Sequence, residues 1–251
     1  MRQAVFDGEE SRIRWTEVPG EEPARVYLHG LGSMSTAYHA HIAARPELGG
    51  RRSLFMDLPG HGLSDRPRHF GYTLEEHADA VAAALDTAGI AGAELIAHSM
   101  GGAVAIVLAH RRPGLVSRLV LTEANLDAYP PLTAGSSAIA TYGEQEFVEK
   151  AFWRVLDAVG PVWAATMRLA DPRALHRSAV GLRRGCDPMM RTILEGLDID
   201  RVYLQGEKSG ELADRAGLEA AGVRVLTVPG AGHNVMFDNP DAFAAAVAGT
   251  I

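Results

Sequence analysis

A serine hydroxyl is a poor nucleophile near neutral pH unless a base lies within hydrogen-bond reach. A serine that does chemistry must therefore have partners elsewhere in the chain. Ser99 has such a setting. It lies between the apolar run Ala93-Glu94-Leu95-Ile96-Ala97 with His98 and the small-residue stretch Met100-Gly101-Gly102. Ala97 and Gly101 leave room for a tight strand-to-helix turn, and Gly102 relieves contact with the helix that follows. The hydroxyl is then left near the positive end of that helix, where an anionic intermediate is stabilised. His233, on the loop Pro229-Gly230-Ala231-Gly232-His233, is the candidate base, because Gly230 and Gly232 let that loop fold back over the rim. Glu123, closing Leu119-Val120-Leu121-Thr122, is the candidate group to orient the imidazole and stabilise its protonated form. Nucleophile, acid and base then follow in that order along the chain, and the chemistry they point to is acyl transfer.

Side chains so far apart in sequence meet only if the elements carrying them share an edge. Short apolar runs alternate with amphipathic stretches, the rhythm of a parallel sheet covered by helices. Six inner strands are expected at Arg25 to Leu28, Ser53 to Met56, Ala93 to Ala97, Leu119 to Thr122, Val202 to Leu204 and Val223 to Val228. An antiparallel hairpin between Arg2 and Val18, turning at Asp7-Gly8-Glu9-Glu10, brings the number to eight. Helices are expected at Thr73 to Ala88, Gly101 to His110, Glu211 to Ala221 and Pro240 to Ala248. In an open parallel sheet, ligands sit outside the carboxyl ends of the strands, and Ser99, Glu123 and His233 all follow such ends.

Between about Asn125 and Asp200 no strand is expected. Helix-like pieces around Glu144 to Val159, Val162 to Leu169, Ala174 to Leu182 and Met189 to Gly196 are punctuated by Pro130-Pro131, Pro161, Pro172 and Pro188. The interval is too long for a loop and too apolar for a linker. The expected organisation is a core of residues 1–124 and 201–251 carrying a helical lid over 125–200.

Four segments in register, His29-Gly30-Leu31-Gly32, Asp57-Leu58-Pro59-Gly60-His61-Gly62-Leu63-Ser64, Ala97-His98-Ser99-Met100-Gly101-Gly102 and Pro229-Gly230-Ala231-Gly232-His233, resemble the signatures of the α/β-hydrolase fold superfamily. The resemblance spans nearly the whole chain except the lid. It implies a serine hydrolase with Ser99 as nucleophile, His233 as base and the backbone N–H groups of Leu31 and Met100 as oxyanion hole. There are two departures. Ala97 replaces the first glycine of the family's serine turn, small for small. Ser209, in Gly206-Glu207-Lys208-Ser209, stands where the family's usual acid would be an aspartate. A neutral serine cannot stabilise an imidazolium, so Glu123, on the preceding strand where some members carry the acid, takes that place, with Glu207 as the alternative. Asp198 and Asp200 precede their strand, at the wrong end of the sheet. Asp57 resembles the family's structural aspartate, its carboxylate tied to backbone amides.

Composition narrows the partners. A net charge of −7 with no basic run beyond Arg pairs argues against nucleic acid. The longest apolar stretches, Gly101 to Ala109 and Ala242 to Ala248, are far short of the ~20 residues of a membrane span. The single cysteine, Cys186, fits a reducing compartment and reads as a small buried hydrophobe, so a cytoplasmic monomer or homodimer is expected. His39 and His41 lack a third ligand at metal-site spacing, and neither metal nor cofactor is expected. His98, Trp153 and Trp163 are the candidate substrate contacts. The expected activity is cleavage of an ester or lactone; C–C bond or amide hydrolysis, cofactor-free peroxidation, or a non-catalytic receptor on the same fold are the alternatives.

Overall fold

The computed structural model describes residues 1–128 and 136–250. The Pro130-Pro131 pair lies outside them. Eight strands form one sheet: β1 (Arg2–Val5), β2 (Arg12–Val18), β3 (Glu21–Leu28), β4 (Arg51–Asp57), β5 (Ala93–His98), β6 (Val116–Thr122), β7 (Asp200–Gly206) and β8 (Arg224–Val228). Their order is β1-β2-β4-β3-β5-β6-β7-β8. β2 runs antiparallel to β1 and β4, and every other pair is parallel.

Successive side chains of a strand face opposite sides, and the inner strands use both. Val26, Leu28, Leu95, Ala97, Leu119 and Leu121 point into one core. Tyr27, Ile96 and Val120, between them, point into the other. The first core is covered by α2 (Leu74–Ala88) and α3 (Met100–Arg111), the second by α1 (Ser35–Ala43) and the last helix, Pro240–Ala248. β3 begins at Glu21, earlier than expected, and its pairing with β4 shifts register between Glu21 and Arg25. Pro23 lies in that gap and has no N–H to give the ladder. α2 starts where the sequence places it, with Thr73 and Glu76 bonding each other's backbone N–H in a capping box, and ends on Gly89 at φ 67°.

Between β6 and β7 the described residues hold helices and no strand. These are α4 (Ser136–Ile139), α5 (Glu144–Glu146) leading through a π-turn at Phe147–Ala151 into α6 (Phe152–Ala158), α7 (Pro161–Met167), α8 (Pro172–Arg184) and α9 (Met190–Gly196). This helical segment is tied to the sheet domain by polar contacts. The Asp171 N–H donates to Gly60 O at 2.9 Å, and Arg177 Nη1 donates to the carbonyls of Arg68 and Phe70. His77 Nε2 and Ser178 Oγ share a hydrogen bond of 3.0 Å. After β7 come α10 (Arg215–Ala220), α11 (Val235–Asp238) and α12 (Pro240–Ala248). The helix expected from Glu211 starts only at Arg215, because the Asp214 carboxylate accepts the Gly217 N–H and caps it there. Among the described residues no helix is long and apolar enough to cross a membrane.

Candidate active site

Ser99 sits between β5 and α3 at φ 51°, ψ −120°, a conformation that L-residues rarely hold. The turn is over-determined. The Ser99 N–H donates to Thr122 O at 2.9 Å and its carbonyl accepts the Gly102 N–H at 2.9 Å. A Cβ at Gly101 would overlap the His29 carbonyl, and one at Gly102 would overlap the Ala124 Cβ. The glycines are therefore the condition for the strained serine. Met100 opens α3, so its N–H has no partner within the helix.

Glu123 directly follows β6 and also has a positive φ, 50°. Its N–H donates to Leu204 O at 2.9 Å, and its Oε1 accepts the Gly206 N–H at 2.7 Å. The other oxygen, Oε2, lies 3.5 Å from His233 Nδ1. The carboxylate is largely buried and the imidazole about half exposed. Glu207 sits differently: exposed, its Oε2 accepts the Gly230 N–H at 2.9 Å and so braces the loop that carries His233. A second brace comes from His98, whose Nε2–H donates to the His233 carbonyl at 2.9 Å. Burial lowers the His98 pKa well below the usual imidazole value, which keeps it a neutral donor.

Asp57 is tied to two amides, Ser35 N–H at 2.9 Å and Leu63 N–H at 3.0 Å. Burial nevertheless pushes its carboxyl up to about 6. His29, whose pKa burial lowers to about 4, accepts the Leu58 N–H on Nε2 at 3.0 Å. Its Nδ1 therefore carries the proton and donates to Gly30 O at 2.7 Å. The loop that Gly30 begins sits close against the serine turn: a Cβ on Gly30 would lie 3.0 Å from His98 Nδ1 and 3.1 Å from the Ser99 Cβ.

Leu31, His98, Ser99, Trp163 and His233 line one cavity of about 120 Å³. Gly30 lines it too, as do Ser33, Tyr38 and Asn234, which were not among the candidate site residues. Trp153 does not belong to it. That side chain is 63% exposed and packs edge-on against Phe152, 5.1 Å between ring centroids, because Phe152 takes the inward position. Asn125 was also missed: buried two residues past Glu123, its Oδ1 accepts the Ser99 hydroxyl at 3.4 Å. Nothing local distinguishes Asn125 in sequence; the fold brings it there. Among the described residues no group of three His, Cys, Asp or Glu could hold a metal ion. His39 and His41 instead bond the carbonyls of Ser35 and Met236. Cys186 is partly exposed rather than buried, its thiol donates to Pro188 O, and burial pushes its pKa up to about 11.

Residues 26–246 match the model of the alpha/beta hydrolase family. The first curated relatives are uncharacterised proteins of Mycobacterium bovis and Mycobacterium tuberculosis, 36% identical over 110 residues, or 43% of this chain, and the match spans only 30% of their length. An esterase of Mycobacterium tuberculosis is 31% identical over 189 residues, 73% of this chain and 56% of that protein. A 2-(acetamidomethylene)succinate hydrolase of Mesorhizobium japonicum is 27% identical over 245 residues, 88% and 85% of the two chains. Among solved structures, an esterase from Exiguobacterium antarcticum superposes with a TM-score of 0.80 at 19% identity, over 100% of this chain and 99% of the other.

Proposed function

Since the chain belongs to the alpha/beta hydrolase family, we propose that it is a serine hydrolase that cleaves a carboxylic ester or lactone through an acyl-enzyme on Ser99. The observation that carries this reading is the grip on Glu123. One carboxylate oxygen is anchored on the Gly206 N–H and the other faces His233 Nδ1 at 3.5 Å. That arrangement sets the imidazole with Nδ1 protonated and Nε2 free to take a proton, while His233 and Ser99 share one cavity wall.

In this mechanism His233 removes the Ser99 proton as the oxygen attacks the acyl carbon. The oxyanion is held by the N–H groups of Leu31 and Met100, and one such donor contributes about 3 kcal/mol of barrier lowering. The imidazolium, stabilised by Glu123, returns its proton to the leaving alkoxide. Water then repeats the sequence on the acyl-enzyme. The proposed steps use side chains, two backbone amides and water. Among the described residues the cavity wall carries no Lys, Arg, Asp or Glu, which supports a small, neutral ester-like substrate over an ionic one. Its volume, about 120 Å³, is close to that of a protein cavity that accepts benzene, about 150 Å³, which favours short acyl groups. The curated esterase relative supports ester chemistry in general terms.

The test is a panel of esters and lactones from short to long acyl chains, with amide and diketone arms and with Ser99→Ala as blank. Labelling by a serine-directed fluorophosphonate accompanies it. Turnover of short esters and labelling that both vanish in Ser99→Ala are expected. Protein that neither turns over any arm nor becomes labelled is a binding protein, and this reading is then wrong.

A further inference from the structure

The donor proposed for the oxyanion, the Leu31 N–H, belongs to a peptide that must point the right way before substrate arrives. Three successive carbonyls of its loop are held. Gly30 O accepts from His29 Nδ1–H at 2.7 Å and from the Ser33 N–H at 3.1 Å. Leu31 O accepts from Trp163 Nε1–H at 2.8 Å, and Gly32 O accepts from the Thr166 hydroxyl at 3.0 Å. Trp163 and Thr166 are three residues apart on α7, hence on one face of that helix. α7 lies so close that a Cβ on Gly32 would sit 2.8 Å from Trp163 Nε1. Tyr38, from α1, and Ser33 line the same cavity as Trp163 and Leu31.

In a trans peptide the N–H points opposite to the C=O. Bonds to Gly30 O thus aim the Leu31 N–H the other way and, by polarising the peptide, strengthen it as a donor. The carbonyls of Leu31 and Gly32 fix the next two peptide planes, so the left-handed Gly32, at φ 66°, has no freedom to turn the loop over. The geometry points to Trp163 and Thr166 as positioning residues: α7 of the helical segment holds the two peptide planes that follow the oxyanion amide, and the hole is complete only while that helix is docked. This rests on the hydrolase reading above. It gives Trp163 a second role beside lining the cavity, and a role to Thr166 that lining does not explain.

The test compares Trp163→Phe, Thr166→Val, their double variant and Thr166→Ser. kcat and KM are measured on a short-chain ester, and amide hydrogen exchange is followed over residues 30–34. Losing an oxyanion donor outright costs about 10²- to 10³-fold in kcat, so a loosened one should cost about tenfold per single variant and approach 10²-fold in the double. KM should stay within about threefold, Thr166→Ser should retain the parent kcat, and exchange at residues 30–34 should quicken in the order of the kcat losses. A double variant with parent kcat, a loss confined to KM, or exchange at 30–34 unchanged would each overturn the assignment. If the parent protein turns over no ester, it is the hydrolase reading that fails, and the exchange data then decide the positioning of the loop on their own.

Discussion

Replacing Glu123 by glutamine changes charge while keeping shape, and the surroundings dictate what the amide must do. The Gly206 N–H stays 2.7 Å from one side-chain oxygen, so the glutamine carbonyl must face it and its NH₂ must face His233. A donor at that point forces the imidazole to leave Nδ1 bare and carry its proton on Nε2, where it can no longer accept from Ser99. Charge adds to this. At 3.5 Å the attraction between carboxylate and imidazolium is worth from about 1 kcal/mol at the dielectric of water to about 5 kcal/mol at an effective value of ~20. The half-exposed imidazole draws the pair toward the smaller figure, about tenfold in rate, and the wrong tautomer must supply the rest, up to about 10⁴-fold. Glu123→Gln should therefore lower kcat by about 10²- to 10⁴-fold with KM nearly constant. The unfolding midpoint should hold, since the bond to Gly206 survives. Glu207→Gln, whose carboxylate braces Gly230 instead, should lose less than about tenfold. Steady-state kinetics on a short ester for both variants decide the matter. Glu123→Gln at parent activity, or Glu207→Gln the more damaged of the two, refutes the assignment of the acid.

Ser99→Gly should abolish fluorophosphonate labelling yet raise the unfolding midpoint by a few degrees, because a non-glycine residue at φ 51° stores about 1–3 kcal/mol; a fall in the midpoint would show that the turn is not strained. Gly102→Ala puts a methyl into Ala124, next to Glu123, and should cost about 1–3 kcal/mol in chemical denaturation together with a drop in kcat, whereas parent-like values would mean that the helix slides away freely. Buried His29, His39 and His61 have pKa values lowered to about 4, 3 and 3, and those of His77 and His98 are lowered too. Their stabilising effect is present above the unfolded value of about 6.5 and is lost as pH falls, by about 1.4 kcal/mol per unit for each imidazole. Asp57, raised to about 6, runs the other way over about pH 4 to 6 and offsets one of the five. The midpoint should thus fall between pH 6.5 and 4, and a flat profile would contradict the buried neutral histidines.

Much of this was legible in the chain because it depends on local crowding. Gly101 and Gly102 carry no side chain because the backbone at the end of β3 and Ala124 after β6 press on them, and small residues around a serine can be read without coordinates. Glu123 stood out in the chain because Ser209 occupies the place where the resemblance implies an aspartate, and the fold puts the Glu123 carboxylate 3.5 Å from His233 Nδ1. The helix Ser35–Ala43 was not. Its buried positions are Ser35, Tyr38, His39 and Ile42, so it shows no apolar stripe, and Tyr38 reached the cavity unannounced. Trp153 and Trp163 could not be told apart because extended Val159 and Gly160, followed by Pro161, break the helical period between them. Without a continuous period, no face can be assigned from spacing. Asn125 reaches the Ser99 hydroxyl through the meeting of two strand ends, whereas Ser33 and Asn234 arrive on the loops that carry Leu31 and His233.

The three side chains are unequally supported by the sheet. Ser99 and Glu123 follow β5 and β6, each flanked by strands on both sides, whereas His233 follows β8, which closes the sheet with β7 as its single neighbour. Margins of a sheet open first on warming. Heat should accordingly disarm the molecule while its interior is still intact, so that durability of function is governed by the rim at β8 and by the two braces, Glu207 and His98, that fasten the loop beyond it.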